Sequence, residues 1–151
     1  MNIEFRPIDK SNYDACVQLE VAKEHEDFVA PNMYSLVQVL YEPELYPLGI
    51  YKDDVMVGFL LYDFYYERNC WSMCRFMIDP KHQGQGIGTR ALELFIELME
   101  NKYGTKRLHT TASVHNHRAI ALYEKFGFAK GEAFQYQKAG TVYHEVHLTL
   151  G

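Results

Sequence analysis

The sequence predicts a single mixed α/β domain over residues 1–151, built on a mostly antiparallel central sheet flanked by about four helices. Three observations predict it. Residues 48–51, 55–62 and 70–78 are apolar and aromatic runs joined by short polar turns, the signature of an antiparallel meander. Residues 89–101 then carry Leu92, Phe95, Ile96 and Met99 at helical spacing on one face. Strand and helix patterns go on alternating after that, without an internal repeat or a low-complexity linker. At 151 residues and 48% hydrophobic content, the chain has enough apolar material for one ordinary core.

Residues 3–7 alternate apolar and polar side chains and predict a first strand. Asp9, Lys10, Ser11 and Asn12 form a polar break rich in cap residues, and Tyr13, Cys16, Val17, Leu19 and Val21 predict a short amphipathic helix after it. Residues 24–32 are acidic and irregular, with Pro31 as a turn, and residues 33–40 look helical. Residues 42–47, with two prolines, predict another turn. The three meander strands follow, with Lys52, Asp53 and Asp54 as the first hairpin turn. After the helix at 89–101, Tyr103 and Gly104 mark its end. A strand over 107–114, a short helix over 116–125, and a closing hairpin of 133–138 and 142–150 about Ala139 and Gly140 complete the chain.

Composition narrows the function classes. A net charge of −5 disfavours a nucleic-acid partner, since backbone binding needs a basic surface, and it suits a cationic substrate better. No apolar run reaches the length needed to cross a bilayer, and the first residues show no charged-then-apolar leader, so a cytoplasmic location and no membrane partner are expected. Cys16, Cys70 and Cys74 are odd in number and lack metal-ligand spacing; they read as reduced thiols packed as small apolar groups. His109, His115 and His117 are spaced without a metal pattern and read as structural or solvent-facing.

The segment Gln83, Gly84, Gln85, Gly86, Ile87, Gly88 lies between a predicted strand and a predicted helix. Such a turn presents backbone N–H groups to an anion, and the helix start adds unsatisfied donors and a favourable dipole. Two phosphate-binding patterns fail. The Walker loop needs Gly-Lys-Ser/Thr, but Gly88 is followed by Thr89 and Arg90. The dinucleotide fingerprint has different glycine spacing and opens a βαβ unit, whereas this loop follows a meander.

Some thirty residues on stand Asn116, Ala119, Tyr123, Gly127 and Phe128. Together the two segments resemble the GNAT superfamily of N-acetyltransferases. That family carries Q/R-x-x-G-x-G/A after its fourth strand, matched by Gln83, Gly86 and Gly88. It also carries N-x-x-A-x-x-x-Y-x-x-x-G-F, matched by Asn116, Ala119, Tyr123, Gly127 and Phe128. The resemblance spans nearly the whole chain. It implies a GNAT fold whose sheet splays open between the fourth and fifth strands, where acetyl-CoA wedges in as co-substrate. It also implies cofactor contacts from Phe76, Met77 and Ile78 to the pantetheine arm, from Gln83, Gly84, Gln85, Gly86, Ile87, Gly88 and Thr89 to the pyrophosphate, and from Asn116 and Ala119 near the acetyl arm. Tyr123 is then the general acid for the departing thiolate. No metal is required.

Acetyl transfer needs a neutral amine, so a base or water chain must take its proton. Polyamine-acetylating relatives often place a carboxylate on the fourth strand, but Met73, Cys74, Arg75 and Phe76 supply none. An acid elsewhere, Glu26, Asp27 or Asp63, remains open, as does a water relay. The segments from Phe28 to Ser35, Gly49 to Tyr51, Val57 to Phe59 and Arg75 to Asp79 resemble bacterial spermine/spermidine (diamine) N-acetyltransferases, which implies a polyamine acceptor. Glu26, Asp27 and Asp63 then meet ammonium groups, and Tyr34 and Tyr65 offer aromatic faces. A peptide or protein N-terminal acetyltransferase and a non-catalytic acyl-CoA-binding module are the alternatives, and Tyr123 argues against the latter. The family often dimerises, and the apolar run 142–150 suits a homodimer interface.

Overall fold

The computed structural model describes residues 1–21, 31–138 and 140–151. Its elements run β1 (Ile3–Pro7), α1 (Tyr13–Gln18), α2 (Asn32–Tyr41), β2 (Tyr46–Lys52), β3 (Val55–Tyr65), β4 (Cys70–Ile78), α3 (Ile87–Tyr103), β5 (Leu108–Ser113), α4 (His117–Lys125), β6 (Ala129–Lys138) and β7 (Thr141–Leu150), with a 3-10 turn at Pro80–His82 before α3. One seven-stranded sheet has the order β1-β2-β3-β4-β5-β7-β6. Every pair is antiparallel except β4–β5, which α3 joins as a crossover. The mixed α/β architecture with four helices is therefore as the sequence predicts.

The β2–β3 turn shows why the meander is legible. Asp53 and Asp54 both have positive φ, at 49° and 70°, the conformation a two-residue hairpin demands and that short polar side chains tolerate. From Met56 to Tyr62 every residue of β3 is buried, because both faces of the sheet are covered. One core holds Leu60, Tyr62, Met73, Leu92, Phe95, Met99 and Leu148 under α3 and α4; the other holds Cys16, Phe59, Leu61 and Met77 on the opposite face, beside α1 and α2.

Four boundaries differ from the sequence reading. Helix α1 ends at Gln18, leaving Leu19 extended (ψ 140°), because the Glu20 N–H donates to Asp79 Oδ2 at 3.1 Å and draws the chain straight; Leu19 and Val21 still pack on the second core. Tyr46 and Pro47, read as turn, begin β2: Tyr46 stacks on Tyr62 at 5.0 Å, and the β1 pairing ends at Leu48, short of the proline. β3 runs on to Tyr65. β6 starts at Ala129, its early part disguised by a register shift between Lys130 and Ala133. Finally, β7 lies between β5 and β6, so neither of its edges is free to pair with a second copy, and Tyr143, Val146 and Leu148 of its apolar run are buried within the chain while Val142 is exposed.

Candidate active site

β4 and β5 pair only at Trp71–Leu108, Ser72–His109 and Met73–Thr110. Beyond Met73 the two strands part, and Phe76, Met77 and Ile78 on one side face Thr111, Ala112 and Ser113 on the other without a shared ladder. Two cavities occupy this opening. A groove of about 400 Å³ runs along the glycine loop and α4, and a pocket of about 60 Å³ lies between β4, β5, β6 and β7. Phe76, Asn116, Ala119 and Tyr123 line both, so these four residues form the neck where the cavities meet.

The groove is built for an anion. Gly84 and Gly86 adopt left-handed φ of 77° and 78°, open to any glycine and strained for other residues, and an added Cβ at Gly84 would meet nothing within 4 Å. Gly86 is the residue before α3, so the N–H groups of Ile87, Gly88 and Thr89 have no acceptor within the helix. The Gln83 side chain braces the loop by donating from Nε2 to the Ile78 carbonyl at 2.9 Å. Among the described residues, the ionisable side chains along the groove are His82, Arg118, Lys125 and Tyr123, with no carboxylate. In a chain of net charge −5 that is a local reversal of sign, and it fits a ligand carrying several phosphates.

The small pocket is different. Its one carboxylate among the described residues is Glu145 on β7, 8% exposed. Thr111 donates to Oε1 at 2.8 Å and the Tyr136 hydroxyl donates to Oε2 at 3.3 Å, so each oxygen is held by one donor and keeps lone-pair capacity toward the cavity. Cys74 and Arg75 also line the pocket. Burial pushes the Cys74 thiol up, and Asp63, to whose Oδ1 it donates at 3.1 Å, pushes it further. The Arg75 Nη1 donates to the Cys74 carbonyl at 2.8 Å. At the neck, Tyr123 is 4% exposed; burial drives its hydroxyl well above the ordinary tyrosine value, with Thr110 opposing and Glu145 adding to the rise. Tyr123 is therefore a protonated phenol at neutral pH.

Most of the sequence-derived cofactor residues gather here. Phe76, Met77, Ile78, Gln83, Gly84, Gly86, Ile87, Gly88, Thr89, Asn116 and Ala119 all line the groove, with Tyr123. Gln85 turns outward instead and accepts from Lys52 Nζ at 2.8 Å. Asn116 caps α4, its Oδ1 accepting from the Ala119 N–H at 3.2 Å, and lines both cavities as well. The acceptor-side residues do not gather. Asp63 stands behind Cys74, half-buried, its carboxyl raised chiefly by burial. Tyr65 packs on His109 at 4.8 Å, and Tyr34 lies 5.7 Å from Lys138 Nζ. Glu26 and Asp27 fall outside the described residues. His109 is structural, bonded to Ser72 and His147 at 2.8 Å each.

Sequence reasoning missed Glu145, Tyr136, Arg118 and Lys125. Signals for two of these sets existed. Arg118 and Lys125 are seven residues apart, two turns along one face of α4. Glu145 is in phase with Tyr143 and His147 on a strand, and all three are buried.

The sequence profile of the Acetyltransferase (GNAT) family matches residues 7–128. The chain belongs to that family. A spermine/spermidine N(1)-acetyltransferase of Bacillus subtilis (strain 168) is 27% identical over 135 residues, covering 85% of this chain and 88% of the relative. Among solved structures, the spermidine N-acetyltransferase of Vibrio cholerae in complex with CoA and spermine superposes with a TM-score of 0.75 at 14% identity, covering 98% of this chain and 95% of that one. A ribosomal L7/L12 alpha-N-protein acetyltransferase in complex with coenzyme A also gives 0.75, at 15% identity and with 97% and 92% covered. At these identities the structures share the GNAT fold with this chain. Within that fold, the parted β4 and β5, the Gln83–Gly88 loop and the α4 neck are the features its two motifs mark.

Proposed function

We propose that this GNAT protein transfers an acetyl group from acetyl-CoA to a primary amine, by direct attack of the amine, with Tyr123 as general acid. The observation that carries this reading is the neck. A basic, phosphate-ready groove and a small carboxylate-bearing pocket meet at Phe76, Asn116, Ala119 and Tyr123, so two ligands entering from opposite sides touch at one point. Arg118, Lys125 and the N–H groups at the start of α3 would hold the phosphates, and the backbone of Phe76–Ile78, freed from the β5 ladder, would hold the pantetheine arm. The bound co-substrate supplies an activated acetyl thioester. The Tyr123 hydroxyl, kept protonated by burial, gives its proton to the leaving sulfur.

Among amines, a polyamine such as spermine or spermidine is the first acceptor to try. The Bacillus relative and the acidic net charge support it. The deciding assay measures CoA release from acetyl-CoA with spermine, spermidine, putrescine, amino acids and a peptide. Turnover with one class identifies the acceptor; acetyl-CoA binding without release for any amine overturns the enzyme reading in favour of a binding module. For Tyr123→Phe we expect kcat to fall about 100-fold or more with near-normal acetyl-CoA affinity, since a general acid contributes that order of rate. Unchanged kcat removes Tyr123 from the mechanism.

A further inference from the structure

We infer that Glu145 is the general base that takes the proton of the attacking amine. The inference rests on the N-acetyl-transfer reading and adds the group that the fourth strand lacks. Several facts about position lead to it. Glu145 is the single carboxylate among the described residues lining either cavity. It lines the same 60 Å³ pocket as Tyr123, Asn116 and Phe76, the residues of the neck, and so sits on the acceptor side of the point where the two ligands meet. The pocket is small, about 60 Å³, and an amine nitrogen entering it from the neck would reach the carboxylate directly or through water.

The carboxylate is also oriented for the task. Thr111 Oγ1 from β5 and the Tyr136 hydroxyl from β6 each donate to a different oxygen, which fixes the plane of the group while leaving further lone pairs on both oxygens. The other titratable groups around the pocket are poor acceptors. Cys74 on β4 and Tyr136 on β6 are held protonated by burial first, with Asp63 and Glu145 respectively adding to it. Arg75 on β4 is a permanent cation, Lys138 on β6, lowered chiefly by burial, does not line the pocket, and Tyr123 on α4 already has the opposite role. By elimination, Glu145 is the proton acceptor.

The step balances as follows. An acceptor bound as an ammonium gives one N–H proton to Glu145, and the freed lone pair attacks the thioester carbon. The C–N bond forms and the C–S bond breaks. The sulfur's electron pair takes the Tyr123 proton, the nitrogen's second proton restores the Tyr123 hydroxyl, and Glu145 releases its proton to solvent.

The test uses the full chain with whichever amine the wild-type protein acetylates. Glu145→Gln keeps an acceptor for one of the two hydroxyls of Thr111 and Tyr136, the other turning to accept from the amide NH2, but it cannot take the proton. We expect kcat to fall about 100-fold or more, with acetyl-CoA affinity by calorimetry within about threefold of wild type. Glu145→Ala opens the pocket, and added formate should restore its activity at least tenfold where chloride does not. A kcat for Glu145→Gln within threefold of wild type overturns the inference. So does an inactive Glu145→Ala that binds acetyl-CoA normally and is not rescued by formate, since that marks a structural carboxylate. No turnover of any amine by the wild-type protein instead overturns the underlying transfer reading.

Discussion

Gly58 lies in the middle of β3 opposite Ile78 of β4, on the strand pair that carries one wall of the groove. Replacing it with alanine tests whether that wall tolerates displacement. An added Cβ would stand 2.4 Å from the Met77 carbonyl oxygen, 2.8 Å from Ile78 Cδ1 and 3.2 Å from Ile50 Cδ1. The two isoleucine tips can turn away; the carbonyl is backbone. A relaxed carbon–oxygen contact needs about 3.3 Å, so the strands must separate locally by roughly 0.9 Å. That opening weakens one or two ladder bonds at about 1 kcal/mol each and adds overpacking of about 1–3 kcal/mol. The stiffer unfolded alanine chain returns up to about 1 kcal/mol. The net loss is about 1–5 kcal/mol, centred near 3, and that centre is a fall in Tm of roughly 6–12 °C for a domain of this size. Equilibrium urea unfolding and thermal melts measure it. Because Met77 is the residue pushed, acetyl-CoA affinity, measured well below Tm, should fall as well. A Tm within about 2 °C of wild type refutes the steric reasoning. Lost stability with unchanged acetyl-CoA affinity refutes the placement of the Met77 backbone against the co-substrate.

Two further outcomes follow from charge. Arg118→Ala combined with Lys125→Ala should weaken acetyl-CoA binding between about 3- and 20-fold and flatten its salt dependence, as expected for partly screened groove charges; equal affinity and an equal salt slope would take both residues out of phosphate binding. His109 is buried, and burial, then His147 and Arg68, lower its pKa from 6.5 to about 4. The fold thus favours the neutral ring while the unfolded chain binds the proton first, so stability is full above about pH 6.5 and drains away as pH falls toward 4, by roughly 3 kcal/mol at about 1.4 kcal/mol per unit. Urea unfolding across that window should show a shallower slope for His109→Gln; identical slopes would assign the acid loss to other groups.

Much of this architecture is legible because it is local. The Asp53–Asp54 turn, the 3.6-residue stripe of α3, the left-handed Gly86 before it and Gly104 after it are written in a few neighbouring residues each. The Gln83–Gly88 loop and the Asn116–Tyr123 helix are continuous segments too, which is why the groove could be drawn from sequence. The acceptor pocket is not local. Thr111, Tyr136 and Glu145 meet only because β7 pairs with β5 on one side and β6 on the other, placing residues 34 and 9 apart within hydrogen-bond reach. No window of sequence contains that pocket. The acids that the polyamine resemblance suggests, Glu26, Asp27 and Asp63, lie far along the chain from Glu145, and Asp63 sits behind Cys74 rather than in the pocket.

Net charge misleads for a related reason. Summed over the chain it is −5, which favours a cationic partner everywhere equally. Along the gap the charge is instead divided. Arg118, Lys125 and His82 line the side that would receive phosphates, and the carboxylate of Glu145, with the Arg75 guanidinium in the same pocket, lines the side that would receive an ammonium. Two substrates of opposite charge must be brought into contact for direct transfer, so one uniform sign along the gap would repel one of them. The neck between the two cavities is filled by neutral groups: Phe76, Ala119, the Asn116 amide and the buried Tyr123 hydroxyl. Glu145 helps to keep that hydroxyl protonated, because a phenolate so near a carboxylate is disfavoured. The residue proposed to accept the first proton thereby holds the second in reserve until the leaving sulfur can take it. Base and acid belong to one electrostatic unit: removing Glu145 takes away the proton acceptor and eases ionisation of Tyr123, which burial alone still keeps protonated.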